Sequence, residues 1–213
     1  MASVVLDSGI IMVIRSFLLT VILLLPSIGL ANSVTILILG DSLSASYGMS
    51  EREGWVHQLN RDLDNILLIN ASVSGETTGG ALRRLPALLQ QHRPDWVFVE
   101  LGGNDGLRGF PPPLLKRNLG KILDHSMAAG SAVMLSQVMV PPNYGPRYAS
   151  QFEQVFKDLS REYQVPLIPF FMTEIAPYPE LMQGDGIHPN RKAQGSIADF
   201  LQPYFERYAN GGD

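Results

Sequence analysis

Residues 34–44, VTILILGDSLS, constrain this chain more than any other stretch. Val34 to Leu39 are apolar apart from Thr35, and the run stops abruptly at Gly40-Asp41-Ser42. A short apolar, β-branched run closed by a turn signal reads as a buried strand, of the kind found in parallel sheets covered on both faces. Residues just past such a strand lie at the carboxyl edge of the sheet, where open α/β folds place their ligands. Ser42 is a small hydroxyl at that position and a candidate nucleophile. A nucleophilic serine needs a base, an orienting carboxylate and donors for an oxyanion, so the rest of the chain can be searched for each.

The same pattern recurs downstream. Strands are predicted over Ile66–Ala71, Trp96–Leu101, Ala132–Val140 and Val165–Phe171. Between them the apolar spacing predicts helices over Trp55–Leu63, Thr78–Gln91, Pro113–Ala129 and Arg147–Tyr163, with a last helix from about Asn190 to Tyr208. Strands alternating with helices imply one α/β domain built on a parallel sheet. Its interesting polar residues all follow strands or precede the last helix.

With 213 residues, 46% hydrophobic, the chain has enough length for a real core. A net charge of −4 and no Lys/Arg cluster argue against a nucleic-acid partner. The absence of cysteine removes disulfides, thiolate chemistry and a lipid anchor on cysteine. No two histidines stand at ligand spacing and no phosphate-binding glycine motif is present, so neither metal nor cofactor is expected. Arg15, the apolar run Phe17–Leu25, Pro26 and the small residues Gly29 and Ala31 resemble an export signal cleaved after Ala31, with Met12 as an alternative start. An uncleaved anchor is the rival, but the run is short for a span of about 20 residues and Pro26 interrupts it. The expected product is residues 32–213, a monomeric periplasmic or secreted domain with no membrane insertion.

Four histidines could serve as base. His57, His92 and His125 sit in or beside helices and read as surface or capping residues. His188 lies in a loop between Asp185 and Pro189. Asp185, three residues upstream across Gly186, can fold back on one ring nitrogen and leave the other to face Ser42. A loop aspartate beside a helix-capping histidine would read the same way from this loop alone. Donors for an oxyanion are offered by the Ser42 N–H, by Gly75, whose lack of a side chain allows close approach, and by the Asn104 amide in Gly102-Gly103-Asn104-Asp105. Leu107, Phe110, Tyr144 and Ile187 are apolar residues near these turns and could line an acyl groove or simply pack on the domain.

Taken together, Gly40-Asp41-Ser42-Leu43, Gly75, Gly102-Gly103-Asn104-Asp105 and Asp185-Gly186-Ile187-His188 resemble the signature blocks of the GDSL or SGNH hydrolase family, in order and across almost the whole exported chain. The strings ILGDSLSASYG, ELGGNDGLRG and QGDGIHPN are similar to its bacterial periplasmic subgroup of acyl thioesterases, lysophospholipases and arylesterases. The resemblance implies a three-layer, flavodoxin-like α/β/α sandwich with strand order 2-1-3-4-5. It implies Ser42 as nucleophile, His188 as base, Asp185 as its orienter, and Ser42, Gly75 and Asn104 as the oxyanion hole. Small acyl esters, thioesters or lysophospholipids are then the expected substrates. A carbohydrate or cell-wall acetylesterase, or a binding domain that kept the scaffold, are the alternatives.

Overall fold

The computed structural model describes residues 33–209 and residue 211, and the expected leader over residues 1–31 lies outside the described residues. Five parallel strands form one sheet: β1 (Val34–Gly40), β2 (Ile66–Asn70), β3 (Trp96–Glu100), β4 (Ala132–Ser136) and β5 (Leu167–Ile168). Their order is β2-β1-β3-β4-β5, as the resemblance implied.

Alternation along β1 explains the three layers. Leu37 and Leu39 face one way with Val97, Val99, Val133 and Leu135, under α2 (Thr78–His92), α4 (Pro112–Ala128) and α5 (Pro146–Tyr163). Ile36 and Ile38 face the other way with Phe98 and Met134, under α1 (Trp55–Asp62) and α6 (Ala193–Ala209). All four of these β1 side chains are fully buried. At about 1.5–3 kcal/mol each, their burial fixes this strand at the centre of the domain. The order change between β1 and β3 puts their carboxyl ends side by side, with Gly40 opposite Glu100.

Three expectations are corrected. β4 ends at Ser136 rather than Val140, and β5 has only two residues, because β4 and β5 pair only at Leu135–Leu167 and Ser136–Ile168. Val138, Val140 and Phe171 beyond them are buried without being strand, while Met139 is exposed. The Gly103–Leu107 segment forms a short helix, α3, instead of open loop. The last helix starts at Ala193, not Asn190; Asn190 instead bonds back to the preceding loop. Pro86 is accommodated inside α2, which runs on to His92.

Candidate active site

Ser42 lies two residues past β1, and its neighbours explain why glycine precedes the Asp-Ser pair. A Cβ on Gly40 would sit 2.8 Å from Ser72 Oγ and 2.9 Å from Ser44 Oγ, so no side chain fits. The turn itself is tied by Ala45 N–H donating to the Asp41 carbonyl (3.0 Å).

His188 and Asp185 come from the loop before α6, which is folded as a hairpin. Gln183 N–H donates to the His188 carbonyl (2.8 Å), Asn190 N–H to the Leu181 carbonyl (2.7 Å), and Met182 pairs with Pro189. Gly186 takes φ +67°, the left-handed turn that its lack of Cβ permits. Asp185 Oδ1 accepts from the Ile187 and His188 backbone N–H groups at 2.9 and 3.0 Å. Its Oδ2 meets His188 Nδ1 at 2.6 Å. The His188 backbone N–H, joined by the ring and the Ile187 N–H, holds this carboxyl down at about 2. A carboxylate only accepts, so Nδ1 carries the proton and Nε2 keeps its lone pair. Ser42 Oγ–H then donates to Nε2, 2.9 Å away. The alcohol, imidazole and carboxylate that sequence reasoning selected meet in one line.

The three donor positions also converge on the carboxyl edge. Among the described residues, neither the Ser42 nor the Gly75 backbone N–H is taken by a protein acceptor. Gly75 has φ +77° and open space at its Cα. Arg108 donates to its carbonyl (3.2 Å), linking the turn after β2 to the helix after β3. Asn104 gives one amide hydrogen to Asp41 Oδ2 (3.1 Å) and keeps a second for a ligand. Buried Asp105 accepts from Thr78 N–H (2.8 Å), tying α3 to the start of α2.

A cavity of about 550 Å³ opens beside Ser42 and Asn104. Its walls include Leu107 and Ile187, as expected, and also Val138, Val140, Phe170 and Met172. Phe110 and Tyr144 are not among the lining residues. Tyr144 Oη instead donates to the Leu107 carbonyl (2.7 Å), and the Phe110 carbonyl accepts from Tyr148 Oη (2.7 Å). Tyr144 therefore braces the wall through Leu107 rather than forming it, and Phe110 stands outside it.

Sequence reasoning missed two acids beneath the nucleophile. Asp41 is 2% exposed and Glu100 is fully buried. Glu100 Oε2 accepts from Ser44 Oγ (2.8 Å), while Oε1 has no partner. Burial, and then the charge of Asp41, push Glu100 well above the carboxylate range. Burial also pushes Asp41 up to about 6, against the pull of the Leu43 N–H, the Asn104 amide and His188. Two carboxyls in one dry site do not both ionise readily. Burial and the neighbouring carboxyl favour the neutral form of Glu100, while Asp41 keeps the Leu43 N–H and the Asn104 amide as donors. The available signal was a single acidic residue closing the apolar run Trp96–Val99.

This arrangement has a pH signature. Asp41 binds its proton more tightly folded than unfolded, so its contribution to stability is fully present below about 3.8 and is lost as pH rises through about 6. Asp41→Asn removes a buried charge worth up to about 3 kcal/mol at alkaline pH, less about 1–2 kcal/mol because its NH₂ can no longer accept from one of the two donors, the Leu43 N–H and the Asn104 amide. The variant is expected to melt several degrees above wild type at pH 8 and to show no such gain at pH 4. A variant less stable than wild type at pH 8 would contradict the buried charge.

The chain is similar to several known proteins. The model of the GDSL-like Lipase/Acylhydrolase family matches residues 38–195. The thioesterase 1/protease 1/lysophospholipase L1 of Escherichia coli K12 is 49% identical over 181 residues, covering 84% of this chain and 87% of that protein. An arylesterase of Vibrio mimicus is 46% identical over 173 residues, covering 79% and 86%. A crystal structure of the psychrotrophic esterase EstA from Pseudoalteromonas sp., inhibited by monoethylphosphonate, superposes with a TM-score of 0.81 at 48% identity, covering 83% of this chain and 99% of EstA. With a family model spanning most of its length and relatives near half identity, this chain belongs to the GDSL-like lipase/acylhydrolase family.

Proposed function

We propose that this enzyme hydrolyses acyl esters and thioesters through an acyl-enzyme on Ser42, with His188 as base, Asp185 as its orienter and Ser42 N–H, Gly75 N–H and Asn104 as oxyanion donors. The observation that carries the proposal is the unbroken chain Ser42 Oγ, His188 Nε2, His188 Nδ1, Asp185 Oδ2, at 2.9 and 2.6 Å. Ser42 Oγ attacks the carbonyl carbon as Nε2 takes its proton. Charge developing on the carbonyl oxygen meets the three donors. The resulting imidazolium, stabilised by Asp185, returns the proton to the departing alcohol or thiol. Water then attacks the acyl-enzyme by the same route in reverse.

The mainly apolar cavity supports an acyl chain longer than acetyl, and so favours fatty acyl substrates over acetylated sugars. Residues 1–31 are read as an export leader that leaves residues 32–213 as the working enzyme in the periplasm or medium. Among the described residues no helix is long and apolar enough to cross a membrane.

A fluorophosphonate probe followed by peptide mapping, with an acyl-length series on p-nitrophenyl esters and acyl thioesters, tests the assignment. Expected results are a single adduct on Ser42 and a higher kcat/KM for medium-chain acyl groups than for acetyl. An adduct elsewhere would remove the mechanism, and a preference for acetyl would remove the fatty acyl reading.

A further inference from the structure

The cavity accounts for the acyl half of a substrate; the leaving group must go elsewhere. After attack, the proton on His188 Nε2 passes to the oxygen of the breaking C–O bond, whose electron pair stays with that oxygen while the acyl carbon stays on Ser42 Oγ. The departing alcohol therefore sits at the imidazole edge. The ring of Tyr47 stacks on the face of that same imidazole. Its centroid is 4.2 Å from that of His188, with 33° between the planes, and no other ring pair among the described residues is as close. Tyr47 is nevertheless 45% exposed and takes no part in lining the cavity.

Tyr47 is also held in place from both sides of the site. Its N–H donates to the Ser42 carbonyl (3.4 Å), and its carbonyl accepts from Gln183 Nε2 (2.8 Å) across 136 residues of sequence. A half-exposed aromatic ring is thus fixed beside the base by the nucleophile turn and the catalytic hairpin together. Aromatic rings pair favourably by offset stacking or edge contact, beyond the area they bury.

We propose that Tyr47 forms the leaving-group wall of the site and selects esters of planar aromatic alcohols. This rests on the reading of Ser42 as nucleophile and His188 as base. The test compares benzyl butyrate with cyclohexylmethyl butyrate, which share one acyl-enzyme and have leaving groups of similar size, in wild type, Tyr47→Leu and Tyr47→Phe. Tyr47→Leu is expected to lower the benzyl-to-cyclohexylmethyl ratio of kcat/KM by about 3- to 10-fold. Tyr47→Phe is expected to keep the wild-type ratio. A loss of His188 support alone would slow both esters equally and leave the ratio unchanged. An unchanged ratio in Tyr47→Leu, or a ratio lost equally in Tyr47→Phe, overturns the inference. Fluorophosphonate labelling of Ser42 in each protein separates the two levels. Labelled proteins with equal ratios remove only the role of Tyr47, whereas unlabelled wild type removes the catalytic reading and this inference with it.

Discussion

Ser42→Ala is expected to lower kcat by about 10⁵- to 10⁶-fold, because a triad loses nearly all its advantage when the nucleophile goes. Among the described residues the only side-chain hydrogen bond lost is that to His188 Nε2, so no buried partner is stranded and the thermal midpoint should stay close to wild type. Residual hydrolysis would come from the oxyanion donors acting on a bound substrate. Intact-mass analysis should show no acyl-enzyme during turnover of a p-nitrophenyl ester. Wild-type hydrolysis by the alanine variant would mean that another group attacks the carbonyl.

Asp185→Asn is expected to cost about 10⁴-fold in kcat. The amide oxygen can still accept from the Ile187 and His188 N–H groups, so the hairpin is held. Its NH₂ would replace the oxygen 2.6 Å from His188 Nδ1, however, and would donate to that nitrogen. The ring would answer by moving its proton to Nε2, where it cannot accept from Ser42. Since Asp185 is held at about 2, it is ionised wherever the enzyme is assayed, and its own titration should leave no inflection in the wild-type kcat profile from about pH 5 to 9. A variant retaining a tenth of wild-type kcat would show that the carboxylate does not set the tautomer.

The hydrogen-bonded line of Ser42, His188 and Asp185 could be anticipated from sequence because each residue had a local reason to be there. Ser42 follows a strand whose last five residues are all buried, and Asp185 and His188 share a loop of four residues around a glycine. The cavity walls were harder. Val138 and Val140 continue the alternation of β4, and Phe170 and Phe171 follow β5, so all four looked like strand. Period-two hydrophobicity records which residues avoid water, not what they pack against. Here the ladder stops at Ser136 and Ile168, and the chain beyond peels away to form the cavity wall. Glu100 was hidden for a different reason. A charge closing a strand usually marks its exposed end, and only the approach of Asp41 and Ser44 across β1 turns this end into dry interior.

The hairpin over residues 181–190 carries His188 and Asp185, yet it contributes little to either apolar cluster. Gln183 ties it to the Tyr47 carbonyl through an exposed bond, whereas the other bonds of Gln183 and Asn190, to Pro189, Glu180 and Met182, stay within the hairpin or its flank. Such a segment can open with far less free energy than the sheet requires. Durability of activity and durability of the fold are therefore separate properties in this chain. On heating, function would fail first, through ten residues coming loose, while the five strands are still intact.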